Sequence, residues 1–159
     1  AANSPVSSLW LAQINIASVR EAAFIKDMLD TNADENAIHV VTAILDAFAV
    51  QGQACGVVAQ DSLEEHTAPA IYNALQNFYV NGMPCDGGDQ IVADSADRFT
   101  WVGDHRLQAS YWRTAGVDPK FMMLAYQTWF EAFVKAIDPE FELITTEENG
   151  TRLYTIAKK

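Results

Sequence analysis

Nine residues near the middle of the chain, Asn81-Gly-Met-Pro-Cys-Asp-Gly-Gly-Asp89, hold three glycines and one proline. Such a stretch sustains neither a helix nor a central strand, because glycine loses the most backbone entropy on folding and proline lacks an N–H to donate. It therefore splits the hydrophobic pattern in two. Before it the spacing is helical throughout. After it, short runs of β-formers alternate with further helical spacing.

In the first half, Ile16, Val19, Ala23 and Phe24 recur at three-and-four spacing, and Met28 continues the stripe. Asn32 and Glu35 have the spacing of a capping pair ahead of a second helix. Ile38, Val41, Leu45 and Phe48 mark the buried face of that helix, which is predicted to run to about Gln53 with Gly56 as its terminator. Ser62 and Glu65 form a second such pair, but Pro69 requires the third helix to start near Thr67 or to bend there. Its stripe is Ile71, Leu75 and Phe78, and Asn81-Gly82 ends it.

In the second half, Gln90–Asp94 and Arg98–Val102 flank the turn residues Asp94–Asp97, which predicts a β-hairpin. A short helix follows from about Leu107 to Ala115, ended by Gly116. Asp118-Pro119 caps and opens a long helix carrying Met122, Tyr126, Trp129 and Phe133, ending near Asp138-Pro139. Phe141–Thr146 and Thr151–Ala157 flank Asn149-Gly150, a pair that supplies the positive φ of a hairpin turn. The predicted fold is α+β: about five helices and a small antiparallel sheet built from two β-hairpins. At 159 residues it is read as a single domain, 1–159, with residues 1–8 as a loose N-terminal arm. That arm has neither the basic nor the apolar region of a signal peptide.

Charge narrows the partners. Ten basic and 21 acidic residues give a net charge of −11, which repels phosphate backbones and anionic lipid. No apolar run approaches the ~20 residues of a membrane span. Nucleic acid and membrane are therefore not expected as partners. The two cysteines, Cys55 and Cys85, could form one bridge, but the plainer reading is two free thiols in a reducing cytoplasm, so the chain is expected to be cytoplasmic.

Two polar clusters are candidates for chemistry. Cys85, Asp86 and Asp89 stand on the Gly-rich loop, where backbone can approach a ligand closely. The plainer reading is a solvated turn around a small thiol. Asp104-His105-Arg106 follows the second strand of the first hairpin. There an acid could orient the imidazole, and convergence with Cys85 would make a Cys–His pair. The plainer reading is a surface ion pair. The residues from Phe99 to Phe133 are dense in aromatics: Trp101, Tyr111, Trp112, Tyr126, Trp129 and Phe130. These either line an apolar small-molecule pocket or form the core. Arg106 and Arg113 are the candidates to hold a substrate carboxylate. No zinc, phosphate-loop or dinucleotide pattern occurs, so no metal or cofactor is expected, although a mixed metal site from Cys85, Asp89 and His105 stays open without support from spacing.

From about Glu64 to Lys159 the layout resembles the L-2-amino-thiazoline-4-carboxylic acid hydrolase-like family. The fragments that carry the resemblance are Gly88-Asp89 entering a strand, Arg98-Phe-Thr-Trp-Val102, and the helix end Tyr111-Trp-Arg-Thr-Ala-Gly116. Ile137-Asp-Pro-Glu-Phe-Glu-Leu143 and the closing hairpin through Gly150 complete them. The resemblance implies an α+β fold and, in named members, hydrolysis of a C–N bond in a small cyclic amidine. Members often carry cysteines after the arginine strand and in the last strand, where this chain has Gly103–Arg106 and Leu153–Ile156.

The leading expectation is thus a small-molecule hydrolase acting on an amide or cyclic amidine C–N bond. Cys85, Asp89, Asp104 and His105 would be catalytic; Trp101, Arg106, Tyr111 and Arg113 would bind substrate. The alternative is a non-catalytic small-ligand-binding or accessory subunit, as a homo-oligomer or beside a larger chain. A third reading places a tetrapyrrole on His105 or His39.

Overall fold

The first turn of the first helix begins at Pro5, inside the stretch expected to be a loose arm. The structure, a computed structural model of the chain, describes residues 5–79, 89–103 and 105–159. Cys85, Asp104 and the expected helix end at Asn81-Gly82 lie outside the described residues. Among the described residues there are five helices: α1 (Pro5–Thr31), α2 (Ala37–Gln60), α3 (Ala68–Leu75), α4 (Arg106–Thr114) and α5 (Pro119–Ile137). The strands are β1 (Gln90–Ser95), β2 (Arg98–Val102), β3 (Phe141–Glu148) and β4 (Thr151–Lys158). The fold is α+β.

Two hairpins, β1–β2 and β3–β4, join through an antiparallel β2–β4 pairing, so the sheet order is β1-β2-β4-β3. Alternation sorts the central strands into two faces. Phe99 pairs with Ile156 and Trp101 with Tyr154, and all four are buried in one core with residues of α3 and α5. Thr100 pairs with Thr155, and their hydroxyls hydrogen-bond at 2.9 Å. Asn149 and Gly150 take φ of 52° and 76°, as the tight β3–β4 turn requires.

The caps follow local chemistry. The Asp118 carboxylate accepts from the Lys120 N–H at 2.9 Å, and Pro119 occupies the first turn of α5. Thr67, not Ser62, caps α3, which leaves Pro69 in the first turn where it costs no hydrogen bond. The Ser62 hydroxyl instead donates to Ala59 O at the end of α2. Asn32 likewise closes α1, donating from Nδ2 to Met28 O, and Asn36 precedes α2.

Two expectations about helix faces are corrected. The buried face of α1 is Ile14, Ser18, Ala22 and Ile25, while Ile16 and Phe24 are 48% and 66% exposed. α1 is apolar on more than one side, so periodicity alone does not choose the face. In α2, Ile38 is exposed and the buried positions are Ile44, Gly52, Gly56 and Ala59. Gly56 does not end the helix, which runs on to Gln60. A Cβ on Gly56 would lie 2.6 Å from Phe133 O, and one on Gly52 would collide with the Trp129 carbonyl. Both glycines thus let the backbone of α2 approach that of α5. With its full length of 24 residues and mean hydropathy of 1.4 over its most apolar window, α2 is long and apolar enough to cross a membrane. That differs from the sequence expectation, because His39, Asp46 and the glutamines interrupt every continuous apolar run.

The core has two parts. One joins α3, α5 and the sheet around Trp101, Phe130, Phe133 and Tyr154. The other joins α1, α2, α4 and α5 around Ile25, Ile44, Trp112 and Met122. Phe48 and Tyr126 pack against both.

The glycine contact predicts an inverted response to a substitution that normally strengthens helices. In an exposed helix Gly→Ala gains roughly 1 kcal/mol. Here Gly52→Ala and Gly56→Ala should each lower unfolding free energy by about 1–3 kcal/mol, the usual cost of overpacking. Urea unfolding measures this, and a stabilised Gly52→Ala protein would show that the helices are not in backbone contact.

Candidate functional site

Where β2 leads into α4, the chain places His105 in a left-handed conformation with φ of 50°. Histidine is among the few side chains found there at modest cost. Both ring nitrogens are engaged: Nδ1 with the Tyr79 hydroxyl at 2.7 Å and Nε2 with the Tyr154 hydroxyl at 3.2 Å. Phe130 stacks on the imidazole at 6.2 Å, and Trp112 lies 5.6 Å away. The Arg152 side chain also hydrogen-bonds Tyr154. Gly103 lies against the Tyr154 ring, so a side chain there would push the tyrosine off His105. Burial first, then the Arg152 charge, lower the His105 pKa to about 3. The imidazole is therefore neutral at pH 7 and holds one tyrosine as donor and the other as acceptor.

Tyr79 has a second role. It lines a cleft of about 400 Å³ that opens among the helices. α1 contributes Ala17, Ser18 and Glu21; α2 contributes Ala47, Phe48 and Gln51; Phe78 and Tyr79 follow α3. Gln108 of α4 and Tyr126 and Trp129 of α5 complete the lining. Glu21 Oε2 accepts from the Tyr126 hydroxyl at 2.5 Å, and Gln51 Oε1 accepts from Trp129 Nε1 at 3.1 Å. Burial raises the Glu21 pKa, and the Tyr126 hydrogen bond offsets part of that rise. Phe48 meets Tyr126 edge-on at 5.5 Å. The cleft sits where the two cores meet, since Phe48 and Tyr126 border both.

The candidate residues read from the sequence fall in several places. Asp89 Oδ2 accepts from the Tyr72 hydroxyl at 3.0 Å and from Gln76 Nε2 at 3.2 Å, tying α3 to the entrance of β1. Its negative charge reaches Tyr79 and Tyr154, the two tyrosines that hold His105. Trp101 is 1% exposed and packs against Tyr72, Tyr154 and Phe130 within the core. Removing such a ring costs about 3–5 kcal/mol of stability, so a Trp101 variant reports on folding before binding. Tyr111 borders a shallow hollow with Leu11, Ala12, Asn15 and Ile16 of α1. Arg106 and Arg113 are exposed at the two ends of α4. Of the aromatics between Phe99 and Phe133, Tyr126 and Trp129 line the cleft, Trp129 as a buried member of the sheet-side core, while Trp112 and Phe130 are buried in the cores away from it.

Comparison of the chain with family models, with curated proteins and with solved structures finds no match in any of the three. The site therefore stands on its own geometry. Among the described residues no group of three or more His, Cys, Asp and Glu side chains is placed to hold a metal ion. Glu21, Gln51, Tyr79 and Gln108 were not among the residues singled out from the sequence, and Phe48 was read only as part of a buried helix face. One signal was present: Ile14, Ser18, Glu21 and Ile25 share the 3.6-residue period, which places an acid on the inward stripe of α1.

The buried imidazole makes stability depend on pH. The folded pKa of His105 lies below its ordinary value of 6.5, so unfolding takes up a proton between pH 6.5 and about 3. This contribution is complete above pH 6.5 and is lost as pH falls, on the order of 3 kcal/mol by pH 4. His105→Asn keeps a residue that tolerates the left-handed backbone and removes the titration. Chemical denaturation across this range should show a steeper acid decline in the wild-type protein than in the variant. Parallel declines would contradict a buried neutral His105.

Proposed function

We propose that this chain is a small-ligand-binding domain whose site is the cleft between α1, α2, α4 and α5. The observation that carries the reading is the cleft itself: about 400 Å³, lined by five aromatic rings and a few polar groups. That is the usual composition and size of small-molecule sites. A ligand there would gain from burying apolar surface against Phe48, Phe78 and Trp129. Glu21, Gln51 and Gln108 would fix its orientation.

The C–N hydrolase reading needs His105 as a base. The residue is 7% exposed and both ring nitrogens hold tyrosine hydroxyls, so it would have to release one of them to reach a substrate. This favours binding over catalysis at His105. A further observation supports an accessory role in an assembly. Leu9 and Phe24 on α1, with Ile38, Val50, Val57 and Val58 on α2, are each more than half exposed. Exposed apolar side chains suit a protein–protein contact where they form a contiguous patch.

Ala47 lies on the cleft wall and is exposed, so Ala47→Trp fills the space without replacing a buried core side chain. Fragments that raise the Tm of the wild-type protein in a small-molecule screen should leave Ala47→Trp unshifted. Fragments that stabilise both proteins equally would place binding elsewhere and overturn the assignment of this cleft.

A further inference from the structure

The cleft combines an acid with aromatic rings, and its lining among the described residues includes no Lys, Arg or His. Glu21 receives one hydrogen bond among the described residues, from Tyr126. None of the ion pairs between described residues involves it; those are Lys26 with Asp30, His66 with Asp138, and Lys158 with Glu140. A half-buried carboxylate held by a single neutral donor retains most of its demand for positive charge. Tyr126, which donates to it, and Trp129 stand one turn apart on the cleft side of α5, and Phe48 and Tyr79 meet the Tyr126 ring edge-on at 5.5 and 5.3 Å. Aromatic rings attract cations through their quadrupole, most strongly where water is excluded. The carboxylate and the rings therefore select the same chemistry.

Resting on the binding reading above, we infer that the ligand of this cleft is a small organic cation, an ammonium group on an apolar body. The ammonium sits at Glu21, where it donates to the carboxylate beside the Tyr126 hydroxyl. The apolar body lies along Phe48 and Trp129. Gln51 keeps its side-chain N–H groups for a polar substituent, since its carbonyl oxygen is taken by Trp129 Nε1. An anionic ligand of the same shape is excluded, because it would place two carboxylates together out of water.

The test uses three probes of one length that differ in charge: 4-phenylbutylammonium, 4-phenylbutanol and 4-phenylbutanoate. Calorimetric titration at physiological salt suppresses the long-range pull of the protein's net charge of −11. The ammonium should bind at least about tenfold more tightly than the alcohol, and the carboxylate should not bind. Glu21→Gln should erase the preference for the ammonium while still binding the alcohol. Glu35→Gln, an exposed acid between α1 and α2, controls for net charge and should keep the preference. Circular dichroism of each variant separates loss of fold from loss of selectivity. If the alcohol binds as tightly as the ammonium, or if Glu21→Gln keeps the preference, the cation assignment fails while the binding reading stands. If none of the three probes binds and the wild-type screen also yields no ligand, both fail.

Discussion

The backbone contact between α2 and α5 sets the geometry on which the rest depends. Gly52 and Gly56 stand one helical turn apart and face the carbonyls of Trp129 and Phe133, with no room for a side chain between. Each glycine weakens an isolated helix by roughly 1 kcal/mol, so α2 owes its persistence to the surface it buries on α5 rather than to its own propensity. The contact fixes α2 over the C-terminal part of α5. One turn earlier, Phe48 and Gln51 are thereby held opposite Tyr126 and Trp129. The width of the cleft is a consequence of the missing Cβ atoms.

The buried polar network holds the other wall. Tyr79 lines the cleft and also bonds His105, which bonds Tyr154 on the sheet. Its ring meets Tyr126 at 5.3 Å and Phe130 at 5.0 Å, both edge-on. Aromatic packing and one hydrogen bond to an imidazole that Tyr154 holds from its other nitrogen leave few alternative rotamers for Tyr79. A wall held this way is preformed, and a ligand loses little free energy in ordering it. Asp89 adds its charge nearby while Tyr72 and Gln76 fix its carboxylate. The His66–Asp138 pair, at 2.7 Å, joins the loop before α3 to the end of α5 and so pins the two walls at a second point.

Local chemistry made much of the fold legible. Asn149-Gly150, Asp118-Pro119 and Gly116 act over a few residues, and each lies where its preferred backbone predicts. The α+β class followed from them and from the strand runs. The face of α1 was not legible, because Ile14 and Ile16 are equally apolar and only the packing against α4 and α2 separates them. Gly56 was misread for a related reason: a glycine that ends a helix and one that packs a helix closely look alike without the partner. The cleft residues come from α1, α2, α4, α5 and the segment after α3, so no local window contains the site. His105 was recognised as special, but its tyrosine partners are 26 and 49 positions away. Only tertiary structure turns a base candidate into a buried, neutral strut.

Under the proposed binding function a ligand sits against Trp129 and away from Trp101 and Trp112. Fluorine NMR of 5-fluorotryptophan-labelled protein tests it directly, because Trp101, Trp112 and Trp129 report on the sheet core, the helical core and the cleft respectively. Titration with 4-phenylbutylammonium should move the Trp129 resonance in a saturable way and leave those of Trp101 and Trp112 in place. A Trp129 resonance that stays fixed at saturating probe, or a shift confined to Trp101 or Trp112, would contradict the claim.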